Sequence, residues 1–268
     1  MESTRFFSLS RFALLMHNDI LLNYKKYLFT IAGAFILGYL ILYLQMPTRE
    51  TDPDFREMQY VSIFTICLFG LGAFIGMSFP AFNSKTDTIT YLLMPASAFE
   101  KFMSQFLIRI VAGTVLFFLI FWIDAHLART TALFVLRKFE HIPQIASFEF
   151  AIIYRSICLN NNSLMMSATI FSFVSIGIYI FSVRMFFKKM PIVKIVISIV
   201  SLFFIAFLLM VLLSHIFYPE TVGMQLSIPE HKVVTNHSNV EIWLCSLFYC
   251  SWLFFLPLGY FKLKEKQL

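Results

Sequence analysis

Residues 192–213 read IVKIVISIVSLFFIAFLLMVLL, an apolar run whose only charge, Lys194, sits at its start. At 1.5 Å per residue such a run is long enough to cross a hydrocarbon core of about 30 Å. Five more stretches of similar length and character occupy residues 27–44, 60–79, 105–123, 164–183 and 242–260, and within them only Arg109 carries a charge, again near the start. Composition agrees: 59% of the 268 residues are hydrophobic and 13% charged, with mean hydropathy +0.78. A water-soluble core of this size could not hide that much apolar surface, so lipid has to serve as the outer solvent. The expected fold is an all-α polytopic membrane protein of six transmembrane helices, in three parts: an amphipathic surface helix over 1–26, the transmembrane domain over 27–260 and a basic tail over 261–268.

Orientation follows from the basic residues. Assigning alternate loops to one side collects two thirds of the 21 Lys and Arg residues there, including Lys25, Lys26, Lys85, Lys188, Lys189 and Lys262, while two thirds of the 15 acidic residues fall on the other. The positive-inside rule then puts both termini in the cytoplasm. One outer segment dissents, since 124–163 carries Arg129, Arg137, Lys138 and Arg155. The net charge of +6 is read as topology plus attraction to anionic lipid, and not as a nucleic-acid surface. The first apolar run lies behind a long polar lead with no small-residue cleavage pattern, so the lead is expected to be retained. Residues 6–24 form a helical wheel with Leu9, Phe12, Ala13, Met16 and Ile20 on one side and Ser8, Arg11, Asn18 and Asp19 on the other, which suits a helix lying on the membrane surface.

The loop between the second and third runs reads SKTDTITYLLMPASAFEKF over 84–102. Asp87 is placed to cap a short helix ending at Leu93, and Pro95 forbids its continuation. Ser97 stands three residues before Glu100, the capping-box spacing, and opens a helix expected to run to Ile123, about 39 Å. The loop is therefore a rigid elbow carrying one short helix with Thr88, Thr90 and Tyr91 beside Ile89, Leu92 and Leu93, a mixture suited to a protein groove.

Lys85 and Thr86, Tyr91 to Leu93, Pro95 to Ser97, and Glu100 and Lys101 together resemble the loop between the second and third spans of ABC-2 type permeases, the membrane subunits of ABC exporters. The resemblance implies a coupling helix near 87–93 that sits on a separate ABC ATPase subunit, with Asp87, Thr88, Tyr91, Leu92, Leu93, Pro95, Ser97 and Glu100 forming the contact and its elbow. It further implies a second permease chain, identical or not, six spans in the cell's inner (cytoplasmic) membrane, and export as the activity. The segments 124–163 and 214–241 depart from the family's usual pattern.

No G-x-x-x-x-G-K-[ST] loop is present, so the chain is not expected to bind ATP in that manner, to need a cofactor or to act as an enzyme. H-E-x-x-H is absent, and no His lies mid-span to serve an intramembrane hydrolase. Ser167, Thr169, Ser172 and Ser175 lack an intramembrane base and are read as interhelical hydrogen-bonding residues. His126, His141, His215, His231 and His237 all fall on the outer side, at spacings too irregular for a zinc site. Cys158 is the one outer cysteine, which excludes an intramolecular outer disulfide. Gly72 and Gly76 make a G-x-x-x-G face, extended by Gly70, that serves either packing inside one bundle or a dimer seam. Alternatives to the exporter are a non-transporting membrane scaffold or assembly protein and a bilayer-embedded enzyme.

Overall fold

The computed structural model describes residues 7–45, 53–136, 147–157, 163–187, 191–217 and 239–266. The fold is all-α. Its helices are α1 (Leu9–Gln45), α2 (Pro53–Gly76), α3 (Lys85–Leu93), α4 (Ala98–Phe106), α5 (Gly113–Leu136), α6 (Phe150–Ile157), α7 (Ser163–Val183), α8 (Pro191–Phe217) and α9 (Asn239–Glu265). Six residues between α4 and α5, Leu107–Ala112, widen into a π turn, so α4 and α5 form one long helix with a local bulge.

Four stretches are long and apolar enough to cross a membrane: Leu9–Gln45, Gln59–Gly76, Ala98–Val135 and Pro191–Leu209. The fourth and sixth apolar runs fold as α7 and α9, but α7 contributes a shorter apolar stretch, Phe171–Phe186, and the side chains of 242–249 lie outside the described residues. The count of six thus rests on the sequence. The segments 137–146, 158–162 and 218–238, with Cys158, His141 and His237, also lie outside the described residues.

The polarity of the molecule is inverted relative to a water-soluble protein. On α8, Val196, Ile197, Val200, Phe203, Phe204 and Phe207 are each more than half exposed, and only 6% of the helix's most apolar window is buried. Inside, Glu100, Lys101, Ser104, Gln105 and Arg109 form a buried polar stripe along α4 and the π turn. Such an arrangement is stable where the surrounding solvent is hydrocarbon and charged groups must find partners inward.

Contact register shows how the helices run. Against α1, Ser8 and Arg11 meet Glu100, Tyr27 meets Arg109 and Gly38 meets Asp124, so α1 is parallel to α4 and α5. Phe64 against Phe121, Phe74 against Arg109 and Phe79 against Gln105 make α2 antiparallel to that pair. Ile75 against Gly177 and Phe79 against Phe181 make α7 parallel to α2, and Ser175 against Ser251 and Tyr179 against Phe255 make α9 parallel to α7. One end of the bundle consequently gathers the start of α1, the elbow around α3, the ends of α7 and α9 and the start of α8. Lys266 donates to the Met185 carbonyl there at 2.6 Å, and Lys194 lies 5.8 Å from the Phe187 ring. This is the basic end.

Two expectations change. The surface helix and the first span are one continuous helix, α1, because nothing between Leu9 and Gly33 breaks it. Its 37 residues reach about 55 Å, well beyond a hydrocarbon core. Along its first part Leu9, Ala13, Asn18 and Ile20 are exposed, while Ser8, Arg11, Phe12, Met16 and Asp19 are half-buried. Finally, the third helix does not stop at Ile123 but continues to Leu136, since Ala125, Ala128 and Ala132 offer a small-residue face with no breaker, and Asp124 is buried within the bundle.

Gly72 and Gly76 pack against Ile180 of α7 and Ile195 of α8, placing the G-x-x-x-G face inside the bundle, whereas Gly70 faces open space. A Cβ at Gly72 would meet Ile180 at an ordinary 3.5 Å, but one at Gly113 would lie 2.8 Å from the Phe74 ring, which Arg109 holds in place. Gly113→Ala is therefore expected to cost about 2 kcal/mol through overpacking, and Gly72→Ala to cost nothing, as read by thermal unfolding in detergent.

Candidate functional site

The elbow at the basic end is built from strong local signals. After α2 the chain turns at Phe79, whose φ of 53° and ψ of 58° lie in the left-handed region that an aromatic residue avoids. Surrounding contacts hold it there: the Phe79 amide donates to Gln105 Oε1 at 3.2 Å, and its ring packs on Phe82 and Phe181 at 5.7 and 5.3 Å. A single 3₁₀ turn, Pro80–Asn83, leads into α3.

Ser84, in extended conformation, caps α3, its Oγ accepting from the Asp87 amide at 3.4 Å. The cap is thus not Asp87, which stands at the third helical position with its charge near the positive end of the helix dipole. Thr88 Oγ1 lies within hydrogen-bonding distance of the carbonyls of Ser84 and Ala81, at 2.6 and 3.0 Å, rooting the helix on the turn before it.

Two residues fasten α3 from behind. Tyr91 is buried, edge-on to Phe82 at 5.8 Å, and donates weakly to the Lys101 carbonyl at 3.4 Å. Burial pushes its phenol well above the ordinary range, so it stays a neutral donor. Lys101, 1% exposed, donates its ammonium to the Leu92 carbonyl at 3.0 Å and lies 5.6 Å from the Tyr91 ring. A cation at a helix C-terminus answers both the dipole and an unpaired carbonyl.

The break after α3 follows proline chemistry. Met94, before Pro95, adopts φ −56° and ψ 135°, away from the helical region. Ser97 and Glu100 then form a full capping box: Ser97 Oγ accepts from the Glu100 amide at 3.1 Å, and Glu100 Oε2 accepts from the Ser97 amide at 2.8 Å. Glu100 Oε1 accepts two further bonds, from the Ser8 amide at 2.7 Å and from Arg11 Nη2 at 3.1 Å. One fully buried carboxylate ties the start of α1 to the start of α4.

Deeper in, Tyr27 donates to Asp19 Oδ2 at 2.9 Å, and the Arg109 guanidinium lies 5.0 Å from the Tyr27 ring and 4.7 Å from that of Phe74. Of the residues assigned to the elbow, Tyr91 and Glu100 are buried and Thr88, Leu92 and Ser97 half-buried on its inner side, while Pro95 is exposed. Asp87, Ile89, Thr90 and Leu93 stay outward, with Ile89 and Leu93 59% and 78% exposed. Sequence reading missed Lys101, Gln105 and Arg109 as bracing residues; charged or amide groups inside an apolar run were the available signal. At the other end, His126 packs edge-on against Trp122 at 4.8 Å, and among the described residues no group of three His, Cys, Asp or Glu is placed to hold a metal.

No family model, curated protein or solved structure matches the chain.

The geometry separates the two caps of the elbow. Ser97→Ala removes one cap bond and is expected to cost about 1 kcal/mol. Glu100→Ala orphans the Ser8 and Ser97 amides together and removes the ion pair to Arg11, for about 3 kcal/mol. Chemical unfolding in detergent should show that ordering, and the double variant should cost less than the sum.

Proposed function

We propose that the chain is the permease subunit of an ATP-driven exporter similar to the ABC-2 type. It crosses the inner membrane six times with both termini in the cytoplasm, pairs with a second permease chain and couples to a separate ATPase subunit. The observation that carries this reading is α3: a short helix at the basic end, braced from behind by Tyr91 and Lys101, that presents Ile89 and Leu93 outward. A rigid helix with apolar anchors four residues apart and polar Thr86, Asp87 and Thr90 around them is suited to a groove on a partner protein. The resemblance of the loop to the coupling helix identifies that partner as an ATPase. Alternation of helix direction through α1, α2, α4–α5 and α7 fits consecutive crossings, and the basic residues at the shared end fit a cytoplasmic face.

Mechanistically, closure of the ATPase subunits would push on α3. Tyr91 and Lys101 join α3 to α4, so the push reaches α4 without slack, and the π turn passes it to α5 and the far side of the bundle. ATP hydrolysis belongs to the partner; this chain supplies the path and the lever.

Ile89→Glu with Leu93→Glu should abolish copurification of the ATPase and its stimulation by the permease, with the melting temperature of the permease unchanged because both side chains are exposed. Retained copurification and stimulation would favour a scaffold that needs no ATPase. For topology, a membrane-impermeant thiol reagent applied outside should label a cysteine at Asn236 and leave one at Lys188 unlabelled; the reverse pattern would overturn the orientation.

A further inference from the structure

Asp124 is a buried charge-bearing group that the elbow does not use. Asp124, on α5, is 1% exposed, and its Oδ1 has no hydrogen-bond partner. Its helix neighbours Phe121, Ala125 and Ala128 belong to a buried apolar cluster with Leu42 of α1, Ile63 and Phe64 of α2 and Phe148 before α6. Opposite stands Gly38 of α1, where a Cβ would lie 2.5 Å from Asp124 Oδ2, so the α1 backbone itself closes over the carboxyl. The titratable or charged groups facing this cluster are Tyr39 and Tyr43 from α1, Tyr60 and Cys67 from α2, and His126 and Arg129 from α5, with exposed Glu149 ahead of α6. Among the described residues none forms an ion pair or hydrogen bond with Asp124. An ionised carboxylate here has neither donor nor counter-charge, a state that an apolar, water-free interior strongly disfavours.

We propose that Asp124 is a proton-binding site within the bundle: the packed arrangement of α1 on α5 holds the protonated acid, and loss of its proton parts these helices at the end away from the elbow. The chemistry balances simply. The carboxylic acid gives its proton to water, and the carboxylate left behind requires hydration, which it obtains only if Gly38 moves away. Protonation thus biases one element between two arrangements, independently of whether the elbow binds an ATPase. The direction of linkage is fixed. The packed state binds a proton more tightly than the parted or unfolded state, so stability is full at low pH and falls as pH rises.

The test uses the full chain in lipid nanodiscs with isotope-labelled aspartate. Infrared difference spectra should show the carbonyl stretch of a protonated carboxylic acid at neutral pH, lost on alkalinisation and absent from Asp124→Asn. Alkylation of native Cys67, read by mass, should accelerate severalfold more with rising pH in the wild type than in Asp124→Asn. Unfolding temperature should fall more steeply with rising pH in the wild type than in Asp124→Asn. If the Asn variant does not fold, Asp124→Glu, which moves the band to the Glu frequency, makes the same assignment. No protonated-acid band at neutral pH, or an Asn variant with the wild-type pH response, would overturn the proposal.

Discussion

The carboxylate of Glu100 accepts hydrogen bonds from the Ser97 amide, the Ser8 amide and Arg11, and the basic end of the molecule is organised around that acceptance. Two helix beginnings meet there, and each brings backbone N–H groups with no partner inside its own helix. In water such groups are solvated at little cost; beside a bilayer they have to be answered by the protein. A single buried anion answers donors from two elements separated by some ninety positions in sequence. Because it sits at the positive ends of both helix dipoles, it is favoured there electrostatically as well as by hydrogen bonding. The start of α1 and the elbow consequently move together or not at all.

The same logic arranges the rest of the interior. Lys101 closes the negative end of α3, Gln105 holds the strained Phe79 amide, and Arg109 lies between two rings at the π turn. These residues share a face of α4 and its continuation, and each satisfies a group on a different neighbouring element. Outer surfaces carry Leu, Ile, Val and Phe because lipid faces them. Cohesion inside such a bundle cannot come from excluding water, so close small-residue approaches and polar contacts carry it: Gly38 and Ala128 between α1 and α5, Gly259 on Ser182 between α9 and α7, and Ser175 with Ser251.

What could be read from the sequence was what local chemistry decides. Pro95 breaks the chain whatever surrounds it, and Ser97 and Glu100 cap each other through a three-residue spacing, so the elbow was legible. Long apolar runs gave the membrane class because bilayer thickness is a constant. The cap of α3 was misread because Ser84 and Asp87 both qualify by type, and only backbone conformation at Ser84 distinguishes them. Continuity of α1 was not legible, because the change from an amphipathic lead to an apolar span at Tyr27 carries no helix breaker and leaves one helix or two equally open. Burial of Asp124 was illegible, since it depends on a glycine 86 positions earlier in another helix.

The π turn explains how a rigid elbow and a tightly packed bundle coexist in one helix. An uninterrupted α-helix from Ala98 to Leu136 would fix the azimuth of every side chain in α5 relative to α4. One extra residue in the turn rotates the helix beyond it by about 100° and leaves a locally unpaired carbonyl. Arg109 uses that rotation to place its guanidinium against Tyr27 and Phe74, while Gly113 lets the Phe74 ring approach closely. Below the turn the helix presents a polar stripe to the elbow; above it, α5 presents Ala125, Ala128 and Ala132. A side-chain change at the turn therefore reaches both ends without touching either: enlarging Gly113 displaces Phe74, Phe74 displaces Arg109, and Arg109 loosens the ring of Tyr27 that holds α1 against α4.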